Sequence, residues 1–420
     1  MTPNASSRAS ALTPEQHARI RAQIVFIPVY IWLAYSVAFT IREIAPLEPV
    51  RDFMHFYVQG ALARTHDSAA LYDIDKMAAM VPRLVPGAPD TKYPPVYGPQ
   101  MSVLFAPLST LPYLEARTTW FAISLVIYVM CTYAIWTACP RLRQRPVTTA
   151  LLLAAAPALY LMLGFVQISA IGLVCVTAAF LALRKNRPFL AGLAIGSLAY
   201  KPPLGLAVAF VFVFAGEWRI VLGAIVAAAA QIGVGVAYWG FSILPAYVRA
   251  LFELPGVAAA MEPFKYHMHS WKSFLELLGL PAGVALAAYA AITLCVLLAA
   301  LACWRARGPL ALRYSALLLA TVLIDPHMYA YDFVLLVPAY MLLWDWVLGE
   351  PDRRVADVVP RAPWTWLRRQ SFNSAFQWLL YACYFSPLLA SIADATRVQL
   401  SVPLMTLLGA TIFGVLARKD

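Results

Sequence analysis

Residues 282–304 read AGVALAAYAAITLCVLLAALACW, twenty-three residues without a charge, followed at once by Arg305-Ala306-Arg307. As an α-helix the run is about 35 Å long at 1.5 Å per residue, enough to cross the ~30 Å hydrocarbon core of a bilayer. Further predominantly apolar runs lie at 22–44, 115–138, 219–240, 328–349, 373–393 and 398–417, with shorter ones at 148–163, 166–184, 188–200, 203–216 and 310–325. The shorter runs meet at Gly164-Phe165, Lys201-Pro202-Pro203 and Asp325-Pro326. Broken helices of this sort are stable at membrane depth only where protein or a cavity covers the freed backbone groups. Hydrophobic residues make up 62% of the chain and charged residues 13%, about half the ~25% usual in soluble domains. The expected fold is all-α, a polytopic transmembrane bundle of about 12 membrane helices.

The polar segment 1–21 reads as a cytoplasmic tail, and 22–420 as one integral-membrane domain. Residues 22–41 carry no charge. That stretch exceeds the ~7–15 residues of a signal-peptide core, so a retained first helix is expected. The net charge of +11 is distributed in loops: Arg141, Arg143 and Arg145; Arg184, Lys185 and Arg187; Arg305 and Arg307; Arg353, Arg354, Arg361, Arg368 and Arg369; Arg418 and Lys419. Clusters of this kind orient helices by the positive-inside rule. With the N-terminus inside, 20 of the 32 Lys and Arg fall on the cytoplasmic side, but only 7 of the 21 Asp and Glu. A full crossing by 96–112 would reverse the later basic loops, so a non-crossing element is expected there. No basic patch with interleaved aromatics marks a nucleic-acid module. The six cysteines form no C-x-x-C pair, and neither a zinc site nor a disulfide framework is indicated.

Two loops then face outward, 45–114 and 241–281, both long and rich in aromatics. Loops of this length in a compact protein are commonly functional, and amphipathic helices along the outer face are expected in both. Four elements at that face carry groups capable of chemistry: Arg51-Asp52-Phe53 through Tyr57; Lys92-Tyr93-Pro94-Pro95; Lys201-Pro202-Pro203; and Asp325-Pro326-His327 followed by Tyr331-Asp332. Gln167, after the Gly164 break, and Lys265 and His267 in the second loop are further cavity candidates.

A loop acid such as Asp52 is usually solvated or ion-paired, yet at an outer cavity it can take a proton from a hydroxyl nucleophile. Lysine inside an apolar sequence is costly, so Lys201 either snorkels to the interface or faces a cavity, where a cation would suit a phosphate. His327 reads as a packing histidine or as a donor to a phosphoryl oxygen. Its i, i+4 spacing to Tyr331 would place both on one helix face. Asp325 and His327 are too few ligands for a metal site. No P-loop, dinucleotide fingerprint, H-E-x-x-H or G-x-S-x-G occurs, so ATP-driven transport and soluble-type hydrolysis lose support.

In this order, from about residue 50 to 350, the chain resembles glycosyltransferase family 87. The likeness rests on Asp52-Phe53 with Tyr57 and Gly60-Ala61, Leu71-Tyr72-Asp73, and Tyr93-Pro94-Pro95 with Leu104-Phe105-Ala106-Pro107-Leu108. It continues through Gln167-Ile168-Ser169, Leu190-Ala191-Gly192 with Lys201-Pro202-Pro203, and Asp325-Pro326-His327 with Asp332. The resemblance implies a GT-C-type membrane enzyme of the cell (inner) membrane that works at the extracytoplasmic face. It implies a polyprenyl-phosphate sugar donor, typically the mannose form, a lipid or glycan acceptor, no cofactor and no metal. It implies Asp52 as general base of an inverting transfer, with Lys201, His327 and Lys92 toward the donor phosphate. Arg51, Tyr57, Tyr93, Gln167, Lys265, His267, Asp325, Tyr331 and Asp332 would line the substrate cavity. Two positions depart from the family pattern: Val166 stands before Gln167 where Gly is usual, and Asp325 stands before Pro326 where Ser is usual. A different class, a lipid-linked sugar transporter or flippase, would also suit a cationic cavity with broken helices.

Overall fold

A computed structural model describes residues 32–33, 35–36, 51–88, 92–93, 96–261, 265–358 and 368–418. The expected N-terminal tail, most of the first span, Pro94 and Pro95 lie outside the described residues, as does the Arg51 side chain.

Among the described residues the fold is all helix, with two isolated bridges, Met268 to Tyr329 and Arg354 to Ser371. The helices used below are α1 (Arg51–Thr65), α2 (Ile74–Leu84), α3 (Gln100–Phe105), α4 (Tyr113–Thr137), α5 (Pro157–Gly164), α6 (Ser169–Arg184), α7 (Pro188–Gly196), α8 (Leu206–Ala215), α9 (Trp218–Trp239), α10 (Ala282–Arg305), α11 (Leu310–Ile324), α12 (Val337–Gly349) and α13 (Ser401–Leu416). Several begin on proline, whose missing N–H costs nothing in a first turn: Pro157, Pro188 and, in the 3-10 turn before α8, Pro202.

Among the described residues, five helical segments are long and apolar enough to cross a membrane, and Pro146–Ala154 with α5 forms a sixth if that pair, bent by 41°, is one span. The break falls at Ala155-Ala156, ahead of Pro157, inside the stretch 148–163 read from sequence as one run. Five shorter apolar helices complete the bundle; a total near twelve also needs the first span. The α3 segment is six residues, about 9 Å, too short as a helix to span a ~30 Å core by itself.

The helices share a polarity. Asp332 and Asp345 lie at opposite ends of the segment Ala330–Gly349, about 20 Å apart along a helix. At the Asp345 end, its carboxylate accepts the backbone N–H groups of Arg141 (2.7 Å) and Leu142 (3.0 Å), and Arg141 lies 3.6 Å away as an ion pair. There too Trp304 donates to Glu217 at 3.1 Å, just before Arg305. At the Asp332 end lie Ser169 of α6, Lys201 after α7, and the start of α4. The clusters Arg141–Arg145, Arg184–Arg187 and Arg305–Arg307 therefore gather at one end, and Asp52, Lys201 and Asp332 at the other.

The expectation of a surface-lying amphipathic helix fits α2, where Met77, Ala78 and Val81 are buried while Asp75, Lys76 and Arg83 are exposed. It does not fit α1, which is buried from residue 53 to 63. Phe53 and Phe56 pack on Phe105 of α3 (ring centroids 6.2 and 5.2 Å), and Phe105 meets Trp120 of α4 at 4.9 Å. This close seat depends on Gly60, where a Cβ would run into the backbone carbonyl of Phe105. A Gly60→Val change is expected to cost about 3 kcal/mol or more, the upper range for overpacking, because backbone rather than a side chain must yield. Thermal unfolding in detergent checks this; an unchanged midpoint would contradict the α1–α3 contact. A second seam, Gly192 and Gly196 of α7 against Ile220, Gly223 and Ala224 of α9, is a small-xxx-small contact that brings two backbones together and seats the helix leading to Lys201.

Candidate active site

Asp52 is the second residue of α1, in its first turn. Its Oδ2 accepts a hydrogen bond from Gln167 Nε2 at 2.7 Å. Gln167 stands on the elbow between α5 and α6, and two residues on, Ser169 Oγ donates to Asp332 Oδ1 at 2.6 Å. The other Asp332 oxygen takes Lys201 Nζ at 2.5 Å, an ion pair with both side chains almost wholly buried. Three breaks in the bundle are thus tied together: the Gly164 elbow, the Lys201-Pro202-Pro203 break and the segment after Asp325-Pro326. Each was legible as a break, and their common face was expected, but their direct contact was not.

Asp325 is fully buried beside the ion pair. Its Oδ1 accepts the His327 backbone N–H at 2.8 Å, and its Oδ2 has no hydrogen-bond partner among the described residues.

His327 and Tyr331 do not share a face of one α-helix, contrary to the spacing argument. The Asp325 side chain turns the chain at His327, and Tyr329 is extended before a 3-10 segment begins at Ala330. The rings form a shelf instead. His327 meets Tyr329 edge-on at 5.4 Å, Tyr329 stacks on Tyr331 at 5.3 Å, and Tyr331 meets Phe165 at 6.0 Å. Asp52 and Asp332 lie within electrostatic reach of Tyr331.

The remaining sequence candidates divide. Tyr57 is near Asp52 but donates its hydroxyl to the Leu111 carbonyl at 2.8 Å, holding α1 to the start of α4. Tyr93 packs on His55 at 5.3 Å. Lys92 pairs with Asp75 at 2.6 Å, both exposed, and Lys265 pairs with Glu276 at 2.7 Å, so both spend their charge outside the buried set. Lys265 and His267 occupy a turn stitched to the His327 loop by the Met268–Tyr329 bridge and by His269 N–H donating to the Met328 carbonyl at 2.8 Å.

Sequence reasoning passed over three residues. Tyr97 is buried within electrostatic reach of Lys201, Asp332, Asp52 and Asp325. His55, one turn after Asp52, packs on Tyr97 at 5.8 Å, and burial lowers its pKa to about 3, keeping the ring neutral. Ser169, the partner of Asp332, is a plain serine at a helix start. Tyr97 and His55 carry no motif of their own, though His55 stands i, i+3 from Asp52; Ser169 stood in the Gln167-Ile168-Ser169 stretch of the family likeness without being given a role.

Residues 96–338, more than half of the chain, match the family described as Glycosyltransferase family 87. The chain belongs to this family. The matched segment of this membrane glycosyltransferase contains Gln167, Ser169, Lys201, Asp325, His327 and Asp332, whereas Asp52 precedes it and joins the set through Gln167. No curated protein and no solved structure matches the chain. Family membership implies a sugar donor and an acceptor. Just before Gln167, Val166 has a φ of +50°, in the left-handed region, a strain of about 1–2 kcal/mol for a residue with a Cβ.

Proposed function

We propose that this family 87 enzyme moves a hexose, mannose by family resemblance, from a polyprenyl-phosphate donor to a hydroxyl of a lipid or glycan acceptor, with Asp52 as general base. One observation carries the reading: Asp52 is held by Gln167 beside the aromatic shelf and next to the buried Asp332–Lys201 cluster. In the step, the acceptor O–H gives its proton to Asp52 as its oxygen attacks the anomeric carbon. The bond from that carbon to the donor phosphate oxygen breaks on the opposite side, and the phosphate leaves with the bonding pair. A single displacement inverts the centre, so a β-linked donor yields an α-linked product. Phosphate is a good leaving group and needs no protonation by a second acid.

His327 and Lys201 are assigned to the phosphate end, where charge develops. An ammonium carries three donors, and Asp332 takes one of those on Lys201. Lys92, exposed and paired with Asp75, is assigned to the mouth of the cavity. Basic clusters at the far end of the bundle support a cytoplasmic placement for that end. The site would then face the outside of the cell membrane, where a lipid-carried sugar is the available donor.

The test supplies purified protein with labelled polyprenyl-phosphate mannose and a membrane lipid extract. A labelled glycoside with α configuration is expected. Label carried across a vesicle bilayer on the intact lipid, with no glycoside formed, would instead establish a transporter.

A further inference from the structure

Gln167 is buried, and its surroundings fix the direction of its amide. Its backbone carbonyl accepts the Trp120 indole N–H at 3.2 Å, and its own Oε1 accepts the Ile168 N–H at 3.2 Å. With Oε1 engaged by a donor, Nε2 is the end turned to Asp52, and it reaches Oδ2 at 2.7 Å. The elbow that carries it is strained at Val166, φ +50°. Such strain persists only where the surroundings over-determine the backbone, and it clusters at working sites. Here the elbow is anchored on both sides, by Trp120 at Gln167 and by the Ser169–Asp332–Lys201 link just beyond.

We propose that Gln167 is a positioning residue for Asp52: its amide orients the carboxylate and stabilises the ionised form that accepts the acceptor's proton. This rests on the assignment of Asp52 as the base. The α5–α6 elbow then exists to present one N–H, and the Asp332–Lys201 pair holds that elbow in place. A hydrogen bond to the charged form favours ionisation, so Gln167 keeps the base ready at lower pH than an unassisted carboxylate in the same cavity.

The experiment measures transfer from polyprenyl-phosphate mannose to a membrane lipid extract across pH 4–9 for wild type, Gln167→Leu, Gln167→Glu and Asp52→Asn. In Gln167→Leu, kcat is expected to fall about 10–100-fold through misorientation, with the donor KM within about threefold. Its acid limb should move up by about one to two pH units, the equivalent of a lost hydrogen bond to a charge. Gln167→Glu, nearly identical in shape, carries the test should the leucine variant not fold. It places two carboxyls together, so the acid limb should move up further. Acid limbs at the wild-type position in both variants would overturn the proposal even with lowered kcat, since a merely structural role lowers the rate without moving the limb. An inactive Asp52→Asn with unmoved Gln167 limbs sinks the positioning role alone; an active Asp52→Asn sinks both it and the base.

Discussion

Asp52→Asn is expected to reduce transfer by about 10²–10⁴-fold, the usual contribution of a positioned general base, while leaving the fold intact. The asparagine side-chain oxygen can still accept from Gln167, which in the native protein donates at 2.7 Å, so thermal stability should change by less than about 1 kcal/mol. The donor KM should hardly move, because the base contacts the acceptor's proton rather than the lipid phosphate. Asp52→Glu restores the carboxylate but displaces it by one methylene, and a misplacement of about 1 Å can cost 10²-fold. The glutamate variant should therefore fall between wild type and the asparagine variant. Initial rates with labelled donor decide the matter; near-wild-type transfer by Asp52→Asn would remove Asp52 from the chemistry.

The second large effect concerns stability. Lys201→Met should destabilise the protein by about 3–5 kcal/mol, because it leaves Asp332 buried without its partner; that pair stands at 2.5 Å with 4% and 2% of the side chains exposed. Asp325, next to it, loses the same cation. Lys201→Met combined with Asp332→Asn removes both charges and should recover much of the loss, as buried pairs replaced together often do. The double variant also separates two roles for the lysine. If Lys201 only braces the elbow, transfer returns with stability. If it holds the donor phosphate, stability returns while the donor KM stays high. Unfolding midpoints and donor titrations on the two variants give the answer.

The architecture was readable because membrane burial writes itself into composition. Long apolar runs such as 282–304 satisfy their backbone groups in a bilayer as helices, and they appear as Ala282–Arg305, Trp218–Trp239 and Tyr113–Thr137. Charge placement likewise argues against a full crossing by 96–112. Where the reading failed, a local feature overrode the period. α1 carries polar residues yet lies buried, because Gly60 lets it press against α3. His327 and Tyr331 were separated by an aspartate turn that no periodicity announces.

The site divides in the same way. The polar residues at the helix breaks stood out against an apolar background, because an ionisable group at membrane depth is expensive and therefore conspicuous. Their partners did not. That Asp52 meets Gln167, 115 positions away, and that Lys201 meets Asp332, 131 positions away, depends on how broken helices pack and on which rotamers that packing leaves. Sequence alone determined the helical class, the breaks and the inventory of reactive groups, since hydropathy and charge are properties of short stretches. Tertiary structure alone decided which acid is paired, which amide faces the base and which lysines are spent elsewhere, since hydrogen bonds form between neighbours in space.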